Sequence, residues 1–318
     1  MQRLSCSLLL TLASLTTMAQ SEYPIHEDFR SACRITAPLG RGVLDIGNAF
    51  LSIMPKGMHS DKELTINKIK ITSTTDGKNV GIWIITPKEG NAPRPAILFV
   101  HGGGFVFKGA PYHYDLAKEY ARRTHSVVVM VDYRTAHNNP YGTSLQDCMD
   151  AWQWMINSAQ DLGIDITRTA IVGDSAGGFI AIKTVLGSNI RPSKLMLIYP
   201  VIDCTMRTES MAKFDDTPVW NSKLNKKMWE YYLQGSAEES LLDLSLCELQ
   251  NFPATYIETA EYDCLRDEGN EFAEMLQSVY VATTHRPTTG TMHGFDMAKR
   301  SEITQRQITE RCNWLGEW

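Results

Sequence analysis

Gly173-Asp-Ser-Ala-Gly177 places a serine between two glycines, directly after the apolar run at 170–172 and at the start of a helical stretch from Ala176. A strand that turns sharply into a helix lifts the residue at its apex above the sheet edge. Glycines are needed where strand and helix pass close together. Ser175 is thus a candidate nucleophile. Its hydroxyl is weak at neutral pH, so it needs a base, and the base needs an orienting acid. Behind a serine on such a turn, the acid and then the histidine follow in chain order. Two histidines come after Ser175. His285 lies inside a predicted strand at 281–286, whereas His293 lies in the loop Gly290-Thr-Met-His-Gly-Phe295 beyond it and is the favoured base. The acid should follow the strand predicted at 254–259. Glu258 falls inside that strand, and helix capping accounts for Asp267. Asp263, just past the strand end, is chosen, with Glu261 in reserve.

A second set of groups complements this one. His101-Gly-Gly-Gly104 follows a buried apolar run ending at Val100. Consecutive glycines at a strand end can turn their N–H groups toward a ligand. In acyl transfer the carbonyl oxygen gains charge in the transition state, and each donor aimed there is worth about 10²- to 10³-fold in rate. Gly103 and Gly104 are the candidate donors, with the Ala176 amide as a third. A phosphate cradle is the alternative use of such a loop, but neither a GxGxxG nor a Walker pattern is present. His101 sits too early in the chain to be the base and is expected to hold the glycine loop by hydrogen bonds.

The elements that must position these groups follow from periodicity. Residues 64–71 alternate, and a turn at Thr75-Asp-Gly-Lys78 leads to a second alternating run at 80–86, so these two are antiparallel strands with one wet face. Then come short continuous apolar runs, at 96–100, 127–131, 170–172, 195–199 and 254–259, with a weaker one at 281–286. Helical stretches at about 115–123, 145–158, 176–186, 268–279 and 303–315 separate them. This alternation predicts an α/β fold: a mostly parallel eight-stranded sheet with helices on both faces, and chemistry at the carboxyl ends of its strands. About fifty residues between Tyr199 and Ala254 break the alternation. They hold Phe214, Trp220, Met228, Trp229, Tyr231 and Tyr232, too many large side chains for a structureless loop, and are expected to form a helical insertion over the site. Phe214 and Trp220 are the candidates to line a substrate pocket, with Phe105 beside the glycines.

The 318 residues, 43% hydrophobic and 21% charged with a net charge of -5, describe an ordinary globular chain. No basic stripe points to nucleic acid, and no metal-ligand spacing occurs. Arg3, an apolar run at 8–15 and Thr17-Met-Ala19 resemble a secretory signal cleaved after Ala19, which would make the mature protein exported, to a periplasm or beyond the cell. No stretch is long and apolar enough for stable membrane insertion. In an oxidising compartment Cys204 and Cys264, each following a predicted strand, are a candidate disulfide; isolated buried thiols are the alternative.

Together, His101-Gly-Gly-Gly-Phe105, Asp132-Tyr-Arg134, Gly173-Asp-Ser-Ala-Gly-Gly178, Tyr262-Asp-Cys-Leu-Arg-Asp-Glu268 and His293-Gly-Phe295 resemble the hormone-sensitive-lipase-like esterases of the α/β-hydrolase superfamily, from about Leu64 to the C-terminus. The resemblance implies catalysis by Ser175, Asp263 and His293, an oxyanion hole from Gly103, Gly104 and Ala176, and no cofactor or metal. It implies a helical cap of two parts: an N-terminal segment at 20–62 and an insertion at 204–248, around core segments at 63–203 and 249–318. The expected substrate is a small ester with a short acyl chain. A carbohydrate ester, a peptide, or a non-catalytic binding role on the same scaffold are alternatives, and a homodimer is left open. One departure stands out. Where the family continues with Leu-Ala-Pro-Glu after Asp-Tyr-Arg, this chain reads Thr135-Ala-His-Asn-Asn-Pro140, and Cys264 stands where a proline is common.

Overall fold

The computed structural model describes residues 23–35, 39–54, 56–237 and 240–318. The stretch read as a secretory signal lies outside them.

Helix α1 (Arg41–Ile53) precedes two antiparallel strands, β1 (Leu64–Thr72) and β2 (Asn79–Pro87). The alternating unit follows: β3 (Arg94–Val100), α2 (Pro111–Thr124), β4 (Val127–Asp132), α3 (Thr143–Asn157), β5 (Ile164–Asp174), α4 (Ala176–Gly187) and β6 (Lys194–Ile198). After α5 (Glu209–Lys213) and α6 (Ser222–Leu233) it resumes with β7 (Ala254–Tyr262), α7 (Arg266–Ser278), β8 (Thr283–Met292) and α8 (Glu302–Gly316). The eight strands form one sheet in the order β1-β2-β4-β3-β5-β6-β7-β8. The pairings of β2 with β1 and with β4 are antiparallel; all others are parallel.

Side chains alternate across this sheet as the two-residue strand period requires. Leu98, Val129, Ile171, Leu197 and Ile257 face one core with Trp152 and Met155 of α3 and Ile180 of α4. Ile97, Val128, Val172, Met196 and Tyr256 face a second core with Tyr120 of α2 and Ile308 and Leu315 of α8. Because both faces are covered, the central strands read as unbroken apolar runs. Each fully buried Leu, Ile or Val contributes about 1.5–3 kcal/mol.

Two strands exceed their sequence reading. β5 starts at Ile164, where half-exposed Ile166–Arg168 blurred the pattern. β8 runs to Met292, through threonines and Gly290, past a register shift against β7 between Ala260 and Tyr262. The insertion is helical over α5 and α6, and its root closes on itself: Asp203 bridges Ser240, and the Leu241 N–H donates to the Ile202 carbonyl (3.1 Å).

The expected disulfide is corrected. Cys264 is a free thiol, as are Cys33, Cys148, Cys247 and Cys312, so it forms no bridge to Cys204. The chain runs six residues beyond β6 before it reaches Cys204, but only two beyond β7 to Cys264, which is buried against the first core.

Candidate active site

Ser175 is the first residue after β5 and adopts φ 54°, ψ −123°. A non-glycine residue there is strained by about 1–3 kcal/mol and persists only where its surroundings hold it. Its N–H donates to the Ile198 carbonyl (2.9 Å), and its own carbonyl accepts from the N–H groups of Gly178 (2.9 Å) and Val201 (3.0 Å). The flanking glycines are sterically required. A Cβ on Gly173 would lie 2.3 Å from the Gly177 carbonyl oxygen, and one on Gly177 would lie 2.1 Å from that of Val100.

Asp263 is the first residue after β7 and His293 the first after β8, so adjacent parallel strands deliver both to the edge that holds Ser175. His293 Nε2 is 2.9 Å from Ser175 Oγ, and its Nδ1 is 2.7 Å from Asp263 Oδ2. Asp263 Oδ1 accepts the Leu265 N–H (3.0 Å), which orients the carboxylate. Only 5% of Ser175 and 5% of His293 is exposed, and none of Asp263.

The other candidates have structural partners. His285 sits within β8, half-buried, with Nε2 3.0 Å from Asn270 Oδ1. Glu261 Oε2 accepts the Gly290 N–H (2.6 Å). Asp267 does not cap its own helix as expected. It lies one residue inside α7, and its carboxylate accepts the Ser210 N–H (2.7 Å), tying α5 to α7. Glu258 is buried and paired with Arg311.

The glycine loop follows β3. Gly103 (φ 117°) and Gly104 (φ 58°) take conformations that L side chains rarely adopt. Among the described residues, the N–H groups of Gly103, Gly104 and Ala176 meet no acceptor. Three unspent donors beside a serine hydroxyl are what a developing oxyanion requires. The loop is pinned from behind. The Gly102 N–H donates to Asp174 Oδ1 (3.1 Å), and Asp174 Oδ2 lies 3.0 Å from His113 Nε2. His101 stacks on Tyr133 (4.2 Å), its Nδ1 is 2.7 Å from the Gly102 carbonyl oxygen, and its own carbonyl accepts from the Tyr133 hydroxyl (2.9 Å). Complete burial drives the His101 pKa down to about 3, so the ring is neutral and donates from Nδ1. It holds the loop and takes no part in the Ser175 relay.

The three aromatic candidates separate. Trp220 reaches the centre: its ring lies 6.0 Å from that of His293, and its Cη2 is 2.7 Å from where a Cβ on Gly104 would stand. Phe105 is buried behind the glycines against Tyr232 (4.1 Å), Trp229 (5.6 Å) and Phe179 (5.8 Å), joining α6 to the sheet. Phe214 packs on Tyr23 (5.5 Å) and the Arg266 guanidinium (5.2 Å). Met228, named in the insertion but not among the pocket candidates, also reaches this point: its Cγ is 3.4 Å from the same Gly104 position. Among the described residues no cluster of His, Cys, Asp or Glu could hold a metal ion, and no helix is long and apolar enough to cross a membrane.

The departing loop has its own use. Asn138 Nδ2 donates to Asp45 Oδ1 of α1 (2.9 Å) and lies 2.9 Å from His137 Nε2. From the other side, Gln234 Nε2 donates to the carbonyls of Ala136 (2.7 Å) and Asn139 (2.8 Å). The loop thus clamps α1 to the end of α6. An open cleft of about 790 Å³ lies between them, lined in part by Arg41, His137, Lys227 and Tyr231.

Residues 97–297 match the family model described as alpha/beta hydrolase fold. The chain belongs to the α/β-hydrolase family, in its hormone-sensitive-lipase-like branch. Several of the relatives it matches are named as ester hydrolases. It is 32% identical over 213 residues to carboxylesterase NlhH of Mycobacterium tuberculosis, covering 63% of this chain and 66% of that protein. To the ethyl acetate hydrolase of Pseudomonas putida it is 28% identical over 250 residues, covering 74% and 77%. The solved structure of a bacterial heroin esterase superposes with a TM-score of 0.81 at 28% identity, over 92% of this chain and 97% of that one.

Proposed function

We propose that this protein is a serine carboxylesterase that hydrolyses short-chain acyl esters through an acyl-enzyme. The observation that carries this reading is the relay Asp263–His293–Ser175, with spacings of 2.7 and 2.9 Å, set beside three unspent backbone donors. Ser175 Oγ attacks the ester carbonyl while His293 Nε2 takes its proton. The amides of Gly103, Gly104 and Ala176 receive the oxyanion. The tetrahedral intermediate collapses, the alcohol leaves with the proton from His293, and water deacylates the enzyme by the same route. Asp263 fixes the imidazole tautomer and stabilises its charged form.

A short acyl chain is supported by the tight cover. Trp220 and Met228 close on Gly104, next to where the acyl group must lie. The similarity to an ethyl acetate hydrolase points the same way. In this reading α1 and the 204–248 insertion act as the cap. Export remains part of the proposal on the strength of the Arg3, 8–15 and Ala19 pattern.

The test is hydrolysis of p-nitrophenyl esters from acetate to decanoate by the protein and by Ser175→Ala. Turnover that is highest on the shortest chains and absent in the variant is expected. A folded protein without activity on any ester would sink the proposal and favour a peptidase or binding role.

A further inference from the structure

Arg311 has no role in the relay, yet no part of it touches solvent. From α8 its Nε and Nη2 donate to Glu258 Oε2 (3.0 Å) and Oε1 (2.5 Å) on β7. Its Nη1 donates to Asp296 Oδ2 (3.1 Å), three residues beyond His293. The same Asp296 oxygen accepts the Tyr199 hydroxyl (2.7 Å). Burying an ion cluster costs several kcal/mol per charge, and a packed apolar set is often as stable, so stability alone is a weak reason for this arrangement.

Tyr199 shows where the cluster leads. It follows β6 at φ 35°, outside the comfortable range for a large side chain. Its N–H donates to the Glu258 carbonyl (2.6 Å), and the residue before it supplies the carbonyl that holds the Ser175 N–H. Its ring lies 4.7 Å from the His293 imidazole, tilted by 58°. Bonds at Nδ1 and Nε2 restrain that imidazole only weakly, and small rotations about χ1 and χ2 of His293 still tilt the ring. A ring packed against it removes this freedom, provided that the ring is itself anchored. The hydroxyl bond to Asp296, backed by Arg311, is that anchor.

We propose that Tyr199, anchored by Asp296 and Arg311, is a positioning residue that holds the His293 imidazole in line between Asp263 and Ser175. One cluster thereby joins elements that carry or hold all three: β7 for Asp263, the loop after β8 for His293, and the turn after β6, whose Val201 N–H grips the Ser175 carbonyl. Misplacement of a reacting group by about 1 Å costs on the order of 10²-fold in rate. The inference rests on the esterase reading above.

The experiment compares the parent with Tyr199→Phe, Tyr199→Leu, Arg311→Met and Arg311→Lys, by kcat and KM on p-nitrophenyl acetate and by the rate of fluorophosphonate labelling at Ser175. Tyr199→Phe removes one hydroxyl and leaves Asp296 paired with Arg311, so it keeps the fold. Its kcat should fall about 10-fold with KM unchanged, and Tyr199→Leu should lose about 10²-fold. The labelling rate should fall in step. Arg311→Met should behave like Tyr199→Leu where it folds, and Arg311→Lys should recover part of the loss. Folded Tyr199→Phe and Tyr199→Leu proteins with parental kcat and labelling rates would overturn the inference while leaving the esterase intact. A parent that neither turns over esters nor labels at Ser175 would instead overturn the esterase reading, and this one with it.

Discussion

At the carboxyl edge of the sheet, Ser175, Asp263 and His293 are each the first residue after a strand, and His101 is the first after β3. Above that edge, α1, α5 and α6 are held by side chains: Asn48 binds the Val106 carbonyl and the Lys108 N–H, Asp267 binds the Ser210 N–H, and Gln234 binds two loop carbonyls. In the first region, strand register and steric exclusion at glycines place the groups. In the second, individual side-chain bonds choose among many ways of laying a helix over a surface. Changes at the edge should therefore alter rate at constant fold, and changes in the cover should alter what fits.

The largest effect is expected at the acid. Asp263→Asn keeps its volume but spoils the imidazole tautomer, and kcat should fall about 10⁴-fold, by analogy with a protease triad, with the thermal midpoint little changed. Glu261→Gln retains an acceptor for the Gly290 N–H and should stay near parental; a large loss there, with Asp263→Asn active, would move the acid. Gly104→Ala comes next. Its φ is 58°, and its Cβ would stand 2.7 Å from Trp220 Cη2, so loop and donors must shift. A loss of about 10²-fold in kcat is expected, whereas unchanged turnover would remove Gly104 from the oxyanion site. Trp220→Ala tests the cover: the acyl-chain optimum should move to longer esters with only a few-fold change in kcat on acetate. An unmoved optimum would mean that another wall sets acyl length.

The smallest effect concerns the root of the insertion. Glu268 is buried, with Oε1 accepting the Ile202 N–H (2.7 Å), and burial together with the nearby Asp203 and Asp263 pushes its pKa well above the usual carboxylate range. The folded protein keeps this proton after the unfolded chain has lost it. The group's contribution to stability is thus complete below the unfolded pKa and falls as pH rises toward the folded one. Glu268→Gln removes the titration and keeps the acceptor. Its thermal midpoint should exceed the parent's at pH 8 and approach it at pH 4; equal midpoints at both pH values would contradict a buried neutral Glu268.

The same contrast explains what could be read in advance. Unbroken apolar runs pointed to the parallel core, and strand ends singled out Ser175, Asp263 and His293, which the structure brings together, because register and chain order leave few alternatives. The glycines announced close packing that the Gly173 and Gly177 contacts explain. Less was legible where placement depends on distant partners. Phe105 looked like a pocket residue, but it packs on Trp229 and Tyr232 of an insertion whose path has no periodic signature. The full length of β8 was hidden by threonines that satisfy one another, Thr288 with Thr291, instead of forming an apolar run. Arg311 was invisible as anything but a helix residue, because its partners lie 53 and 15 residues away.

If Ser175 is an activated nucleophile, a fluorophosphonate probe should label it, and peptide mass spectrometry locates the label. One label per chain is expected, on the peptide that contains Ser175, and it should be lost in both Ser175→Ala and His293→Ala. Label on another residue, or undiminished labelling in a folded His293→Ala variant, would contradict it.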